Sequence, residues 1–490
     1  MFKFMASFGL GGALAFLQAP YSWPAILVFL LFIPFISFNR NQKNSLHFVL
    51  GLALGFGYFA AHLSWLIVVG TDAWLGLAFF CSIWWGFANL FANLKFDSKY
   101  WKYWFASSWS VFEIIRDHIP WGGFGWGQLG LLWIDSPISG LYASLGQIGM
   151  TWLTYFLIAT FYKQIIRNNT LKLSSKVTRS ISSSIALVLL ANLSINWQPV
   201  STDEKDSITV AGIQGGVEHY GIGAGSDPYA ILNRHIAQTL TNKTQVNASD
   251  LVIWPESSVD KDPNSDALTM EKLLKLDSEI IPPVLVGTTI YDENNFKSNS
   301  SQILDAGGLK TVYEKRHLVP FGEFLPLRNL IENYTDRASL LAHDFKPGSH
   351  PGILEIRDLQ LAVLICFEVA DESLALENIE TKSAIIIPTN NATYQNLGQT
   401  EQQAVYSRIR AIETGRKVLS IATSGDSVVV SPTGLVEQRI KQNEIGVIQT
   451  EIFKTSGQTI AARIFYPIEF LIFMIFSLGL MTSLSKSRIK

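Results

Sequence analysis

The sequence predicts a polytopic membrane protein that carries one large water-exposed α/β domain. Three observations lead there. Hydrophobic residues make up 48% of the 490 and charged residues only 16%, with 31 Phe and 14 Trp. The net charge of −2 is divided unevenly along the chain. Residues 1–197 hold 12 Lys and Arg against 5 Asp and Glu, residues 198–463 hold 23 against 34, and residues 464–490 hold 3 against 1. Eight stretches also approach the roughly 20 mostly apolar residues needed to cross ~30 Å of hydrocarbon. A disordered chain, a disulfide scaffold built on 2 Cys and a nucleic-acid binder driven by net charge are thereby excluded.

Seven of the stretches precede the acidic part, at 4–19, 22–38, 46–69, 74–94, 102–118, 144–162 and 180–197; the eighth is 464–484. The first has the basic start (Lys3) and short apolar core of a signal peptide. Six more spans follow it, so a retained helix is expected. Arg40 and Lys43 follow span two, and Lys95, Lys99 and Lys102 follow span four. Lys163, Arg167, Lys172, Lys176 and Arg179 follow span six, and Lys486, Arg488 and Lys490 follow span eight. Every second loop is basic, as the positive-inside bias requires when both termini are cytoplasmic. The expected organisation is a membrane domain of seven helices (1–197), a domain outside the cytoplasm (198–463), an eighth transmembrane helix (464–484) and a basic cytoplasmic tail (485–490). A soluble helical core would not alternate its loop charge in this way.

Between spans five and six, Trp121–Trp133 (WGGFGWGQLGLLW) reads either as a re-entrant or interfacial segment with aromatic anchors, or as an ordinary loop with a Trp belt. Glu113 and Arg116, at i and i+3 near the end of span five, are spaced to pair on one helix face in a structural role.

From about Asp206 the pattern becomes short β-rich runs separated by helical stretches. Strands are expected at 208–215, 251–256, 283–291, 309–315, 359–368, 383–390, 418–425 and 426–432, and helices at 228–241, 264–280 and 399–415. Continuous apolar runs such as AIII and LAVLIC indicate strands covered on both faces, hence a layered α/β domain. Three strands close on a functional group: Glu256 ends LVIWPE, Lys315 ends LKTVYEK, and Cys366 lies near the end of LQLAVLICFE. Strand ends at one sheet edge are where α/β folds gather chemistry. A carboxylate, an ammonium and a thiol suffice for acyl transfer: the base takes the thiol proton, and the ammonium lowers the thiol pKa and steadies the oxyanion. Taken singly, each has a plain structural reading: Cys366 as a core cysteine, Glu256 as a cap, Lys315 as a solvated strand end. Two further acids stand close in sequence, Glu368 two positions after Cys366 and Glu323 eight positions after Lys315.

Other chemistries find no support. The 8 His include no HxxxH pair and the Cys no CxxC, so no metal or cofactor is expected. There is no Walker loop and no GxSxG elbow. Gly221–Gly225 (GIGAG) reads as a loop, and Gly215–Gly225 and Asp336–Pro351 are marked by composition as gating loops. Cys81 lies in a span and Cys366 in the outer domain, so no disulfide joins them.

The segments IWPES (253–257), YEKRHLVPFGEFLP (313–326) and LICFE (364–368) resemble the Glu–Lys–Cys motifs of the carbon–nitrogen hydrolase, or nitrilase, superfamily. RIRAIETGRKVLSIATSG (408–425) and the seven-plus-one arrangement of spans are similar to its membrane branch, the bacterial apolipoprotein N-acyltransferase family. The resemblance implies a nitrilase-like αββα sandwich and a ping-pong reaction. It assigns Glu256 as general base, Cys366 as the nucleophile that takes a fatty acyl chain from a phospholipid as a thioester, and Lys315 as the oxyanion partner. Glu323 and Glu368 match further active-site carboxylates. Phe367, Asn390, Asn391 and Tyr394 fall at positions expected to touch substrate. The acceptor implied is the α-amine of the diacylglyceryl-cysteine that begins an apolipoprotein, at the cytoplasmic membrane. The partners are therefore lipids, with no nucleic acid, and a monomer is expected. The sequence departs from the family's pattern at Phe367 (usually Tyr), at IPTNNATYQN (387–396), where Tyr394 replaces a Trp, at Gly216 (commonly Asn) and at ATSG (422–425). None of these falls in the Glu–Lys–Cys set. Two other readings remain open: a membrane-anchored nitrilase-type amidase, and a non-catalytic membrane receptor.

Overall fold

The computed structural model describes residues 1–164, 173–221, 227–293, 296–320, 322–328, 344–394 and 397–487, the side chains of 173–184 and 484–487 aside. Parts of the two expected gating loops (222–225 and 336–343), residues 226 and 329–335, Arg167 and Lys172, Phe321, the pair 395–396 and the end of the basic tail lie outside the described residues. Two units emerge, Met1–Gln198 together with Thr459–Lys490, and Pro199–Gln458.

The first unit opens with seven helices, α1 (Phe2–Ala15), α2 (Leu27–Asn39), α3 (Asn44–His62), α4 (Thr71–Asn93), α5 (Trp101–His118), α6 (Tyr142–Tyr162) and α7 (Leu173–Asn196). Each overlaps one of the apolar stretches anticipated from sequence. Small residues let them approach closely, the usual device where lipid removes the hydrophobic drive between helices. At the α1–α3 contact a Cβ on Gly11 would sit 1.9 Å from the Leu54 carbonyl oxygen, and one on Gly57 would sit 2.0 Å from that of Phe8.

Between α5 and α6 the chain forms no α-helix, only short 3₁₀ turns at Leu129–Trp133 and Ser139–Leu141, yet from Phe124 to Ile134 it is buried. Its carbonyls are met by side chains. Arg116 donates to Trp126 O at 2.9 Å and to Phe124 O. Tyr58 donates to Gly127 O (2.7 Å), and Gln18 Nε2 donates to Gln128 O (2.9 Å). The Trp133 indole reaches Thr154 Oγ1 at 2.7 Å. Irregular backbone is tolerated at membrane depth only when protein satisfies it in this way. Trp121 is 46% exposed, but Trp126 and Trp133 are 1% and 7% exposed, so most of this segment's aromatics pack inward instead of forming a belt. Glu113 and Arg116 do pair, at 2.6 Å and fully buried; Glu113 also accepts from Trp85 Nε1 (2.9 Å) and Tyr155 OH (3.2 Å).

The second unit holds two six-stranded sheets. One runs β12-β1-β2-β3-β4-β5 and the other β11-β10-β9-β8-β7-β6. The strands of the first are β1 (Val200–Gln214), β2 (Leu251–Ile253), β3 (Val284–Tyr291), β4 (Lys297–Asp305), β5 (Gly308–Glu314) and β12 (Gly446–Gly457). Those of the second are β6 (Ile353–Ile356), β7 (Leu359–Val363), β8 (Lys382–Thr389), β9 (Lys417–Ala422), β10 (Ser427–Val430) and β11 (Val436–Ile440). Strand period decides the layering. Leu251 and Ile253 of β2 join Leu361, Val363, Ile386 and Leu419 in a core between the sheets, whereas Val252 and Trp254 face helices. Those helices are α8 (Ala230–Thr241), α9 (Lys243–Asn247) and α10 (Ala267–Glu279), which contribute Leu232, Val246 and Leu273 to that outer core. Across the second sheet lie the short α11 (Glu372–Leu376) and α12 (Gln399–Thr414), whose inner face is buried. Strands covered on both faces explain the unbroken apolar runs in the sequence. The last helix, α13 (Ile460–Ser487), returns the chain to the first unit.

Among the described residues three helices, α3, α4 and the 460–483 part of α13, are long and apolar enough to cross a membrane. Phe2–Ala15, Leu27–Asn39 and Ile185–Asn196 are shorter apolar helices. Four strands (β4, β6, β11 and β12) were absent from the sequence reading. Of these, β4 is the instructive one: KSNSSQILD has no apolar alternation at its start, yet Ser298 to Gln302 are all buried.

Candidate active site

Parallel pairing brings the carboxyl ends of several strands to one edge of the layered core. β2 runs parallel to β3, and β7, β8 and β9 are mutually parallel. β5 is antiparallel to β4, itself antiparallel to β3, so β5 points the same way as β3. The residues that follow these strands therefore meet: Glu256 after β2, Lys315 after β5, Cys366 after β7, Asn390 after β8 and Thr423 after β9.

Lys315 Nζ is buried and donates to Glu323 Oε1 at 2.9 Å and to Glu256 Oε1 at 3.3 Å. The second oxygen of Glu256 accepts the Asn390 backbone N–H at 2.9 Å, and that of Glu323 accepts the Val319 N–H at 2.8 Å. The Cys366 sulfur stands close enough to feel the Glu256 and Lys315 charges and the Asn390 N–H. Base, ammonium and thiol thus form one cluster. Burial works against the Lys315 ammonium, but Glu323 and Glu256 outweigh it and hold the group well above the usual lysine range. For the thiol the balance is reversed. Burial pushes Cys366 up and Glu256 adds to the push, while Lys315 and the Asn390 N–H pull down without overcoming them. The sequence reading anticipated only the lysine's effect; in the folded protein the resting sulfur keeps its proton, and Glu256 stands beside it to take it.

Local backbone aims the sulfur. Cys366 has φ +53°, a left-handed conformation that costs a non-glycine residue on the order of 1–2 kcal/mol. Gln403 of α12 helps to hold it, donating to Cys366 O at 3.4 Å and to Thr389 Oγ1 at 2.9 Å. Asn391 in turn donates to Gln399 Oε1 (2.6 Å) and Gln403 Oε1 (2.7 Å). Beyond the elbow, Arg410 Nε donates to Val369 O at 2.9 Å. Arg416 Nη2 ties Ile379 O (3.0 Å) and Gly457 O (2.7 Å) together. The RIRAIETGR stretch is therefore a set of buried guanidinium braces. At Glu256, β3 passes so close that a Cβ on Gly287 would lie 2.4 Å from Pro255 O and 2.7 Å from Glu256 Cα.

The remaining expected residues divide. Tyr394 is half-buried near Cys366, and desolvation pushes its phenol up. Phe367 packs edge-on against the His317 ring, with centroids 5.2 Å apart. Glu368 is fully buried but its hydrogen bonds do not run to the lysine. It accepts from Tyr313 OH (2.7 Å), Arg316 N (2.8 Å), His317 N (3.0 Å) and Ile365 N (2.7 Å). It clasps the Lys315 loop to the Cys366 loop, and burial raises its carboxyl against those donors. Asn390 contributes its backbone, its side-chain oxygen being occupied by Ala392 N at 3.1 Å. Sequence reasoning missed Asn299 of β4, whose side chain reaches both Glu256 and Glu323, and Gln403. The available signal was a polar run of strand length between two apolar strands. Both cysteines are free, and no cluster of metal-ligating side chains occurs among the described residues.

Residues 10–160 match the family model of the apolipoprotein N-acyltransferase N-terminal domain, and residues 230–461 that of the carbon-nitrogen hydrolase. The chain is 26% identical over 496 residues to an apolipoprotein N-acyltransferase of Coxiella burnetii, spanning 94% of this chain and 96% of that protein. It is 27% identical over 414 residues to one of Mycolicibacterium smegmatis, spanning 78% and 68% respectively. Among solved structures it is similar to a carbon–nitrogen hydrolase superfamily protein of Xanthomonas campestris, with 16% identity and a TM-score of 0.39, covering 50% of this chain and 90% of that one.

Proposed function

Because this chain belongs to the apolipoprotein N-acyltransferase family, with its carbon–nitrogen hydrolase domain, we propose that it N-acylates lipoproteins by a two-step transfer through Cys366. In the first step Glu256 takes the thiol proton and the sulfur attacks a fatty ester carbonyl of a phospholipid. Negative charge develops on the carbonyl oxygen, and the Lys315 ammonium is the donor placed to stabilise it. Collapse breaks the ester bond, the lysolipid alkoxide takes the proton back from Glu256, and a thioester remains on Cys366. In the second step the α-amine of a diacylglyceryl-cysteine attacks the thioester. Glu256 receives the amine proton and returns it to the departing thiolate, leaving an amide on the lipoprotein. A thioester holds the acyl group in a form that an amine attacks readily.

The observation that carries this reading is the buried Lys315 ammonium held by Glu323 and Glu256, with Cys366 near enough to feel their charges. The same reading places the chain in the bacterial cytoplasmic membrane with eight spans, both termini cytoplasmic and the 198–463 domain outside, acting as a monomer. The alternating basic loops and the apolar helices support that arrangement.

The test is to incubate the purified chain with phospholipid and a diacylglyceryl-cysteine peptide and to weigh both products. A triacylated peptide and a protein heavier by one acyl group are expected, the latter abolished in Cys366→Ala. An acyl adduct that persists in that variant would falsify the nucleophile. Cleavage of small amides with no lipid thioester would turn the reading toward an amidase, and neither activity would turn it toward a receptor.

A further inference from the structure

Asn299 lies on β4, a strand whose first residues are polar and buried. Its backbone carbonyl accepts the Lys315 N–H at 2.8 Å, which fixes where the lysine leaves β5. Its side-chain Nδ2 donates to Glu256 Oε1 at 2.7 Å and to Glu323 Oε1 at 2.9 Å. Ionised carboxylates only accept, so it is the NH₂ end of the amide that must face them. These are the same two oxygens that Lys315 binds. Each therefore meets two N–H donors, one charged and one neutral, and the two carboxylates are held apart by the amide that lies between them. Two carboxylates around one ammonium have another arrangement open to them: they can share a proton, as like charges in one site do. A Glu256 engaged in that way is lost as a base.

We infer that Asn299 is a positioning residue that keeps Glu256 and Glu323 two separate carboxylates, so that Glu256 remains the acceptor for the Cys366 proton. The inference rests on the acyl-transfer reading of the site and adds to it a device that reserves one of two neighbouring acids for proton transfer. Glu323 then serves the lysine, and Glu256 serves the sulfur.

The experiment follows acyl-enzyme formation against pH in the full-length protein, in detergent micelles containing phosphatidylethanolamine, by intact mass at timed quenches. Asn299→Ala removes the bridge; Asn299→Asp keeps the size but replaces the donor with a third carboxylate, and thermal unfolding checks both folds. In both variants the acid limb of the rate profile is expected to move up by about one pH unit, lowering the rate about tenfold on the limb and leaving the plateau above it unchanged. In a Glu323→Gln background Asn299→Ala should no longer move the limb, because no second carboxylate remains to share the proton. A variant that is slower at every pH while keeping the wild-type limb overturns the inference and leaves the site reading standing, since the role is then structural. A wild-type protein that forms no adduct at any pH overturns the site reading, and the inference with it.

Discussion

Glu323 lies closer to Lys315 than Glu256 does, 2.9 Å against 3.3 Å between the charged atoms. The tighter carboxylate is thus the one whose other oxygen accepts the Val319 N–H. Lys315→Met leaves both acids buried without their cation and removes the oxyanion donor. Acyl-enzyme formation is expected to fall by at least about 10²–10³-fold. Glu323→Gln keeps a hydrogen-bonding group at the same place and should cost about tenfold. Rates from intact mass decide the order; if Glu323→Gln is as inactive as Lys315→Met, Glu323 takes part in the chemistry itself.

Gly287 allows β3 to pass against the Glu256 turn, where a Cβ would meet Pro255 O at 2.4 Å. Gly287→Ala is expected to displace the base and lower the acylation rate about 100-fold, with a stability loss of about 1–3 kcal/mol. Unfolding and activity measured together check this, and unaltered activity would mean that the turn gives way without moving Glu256.

Two groups outside the membrane helices make stability depend on pH in opposite senses. Burial lowers His235 to about 4; its Nδ1 lies 2.8 Å from Ile231 O, and its Nε2 accepts from Gly215 N at 3.3 Å, which fits the neutral ring. Protons then bind the unfolded chain first, so this term is lost as pH falls from about 6.5 to 4. Burial pushes Asp260 up to about 6. Its carboxyl binds protons first in the folded chain, so that term is lost as pH rises from about 4 to 6. The slopes oppose one another in the overlap. Asp260→Asn should therefore stabilise by about 1–2 kcal/mol above pH 6, gain nothing below pH 4, and expose the acid loss due to His235. Thermal unfolding across pH 4–8 measures it, and a gain that is equal at every pH would refute it.

Arg116 neutralises Glu113 and braces two carbonyls of the Phe124–Trp133 segment. Arg116→Met strands a buried carboxylate and should destabilise by about 3–5 kcal/mol. Adding Glu113→Leu should recover part of that loss. Melting in detergent tests the pair; no recovery in the double variant would place the cost in the carbonyls alone.

The layered architecture was legible because strands buried on both faces write continuous apolar runs, and the acid ending LVIWPE, the lysine ending LKTVYEK and the thiol near the end of LQLAVLICFE together make a set that no single member would mark. Glu256, Lys315 and Cys366 could be picked out for that reason, and the fold brings them together. β4 was hidden because its start is polar. Ser298 to Gln302 are buried but polar, with Asn299 and Gln302 hydrogen-bonded through their side chains, so hydrophobic alternation has nothing to mark, and Asn299 went unseen with it. Glu368 shows the opposite limit. Its place two residues after the cysteine suggested chemistry, whereas its four donors are all on the loops it clasps. Spacing along the chain reveals proximity but not direction.

The irregular segment after α5 also sets an order of events during synthesis. Its carbonyls are capped by Gln18, Tyr58 and Arg116, all of which emerge from the ribosome before residue 124. The segment is thus delivered to donors already in place, and the later Thr151 hydroxyl, 2.9 Å from Gln128 Oε1, closes over it. A permuted chain in which α1 and α3 were made last would leave the Gly127 and Gln128 carbonyls waiting without partners, and assembly of this unit is where such a chain should fail.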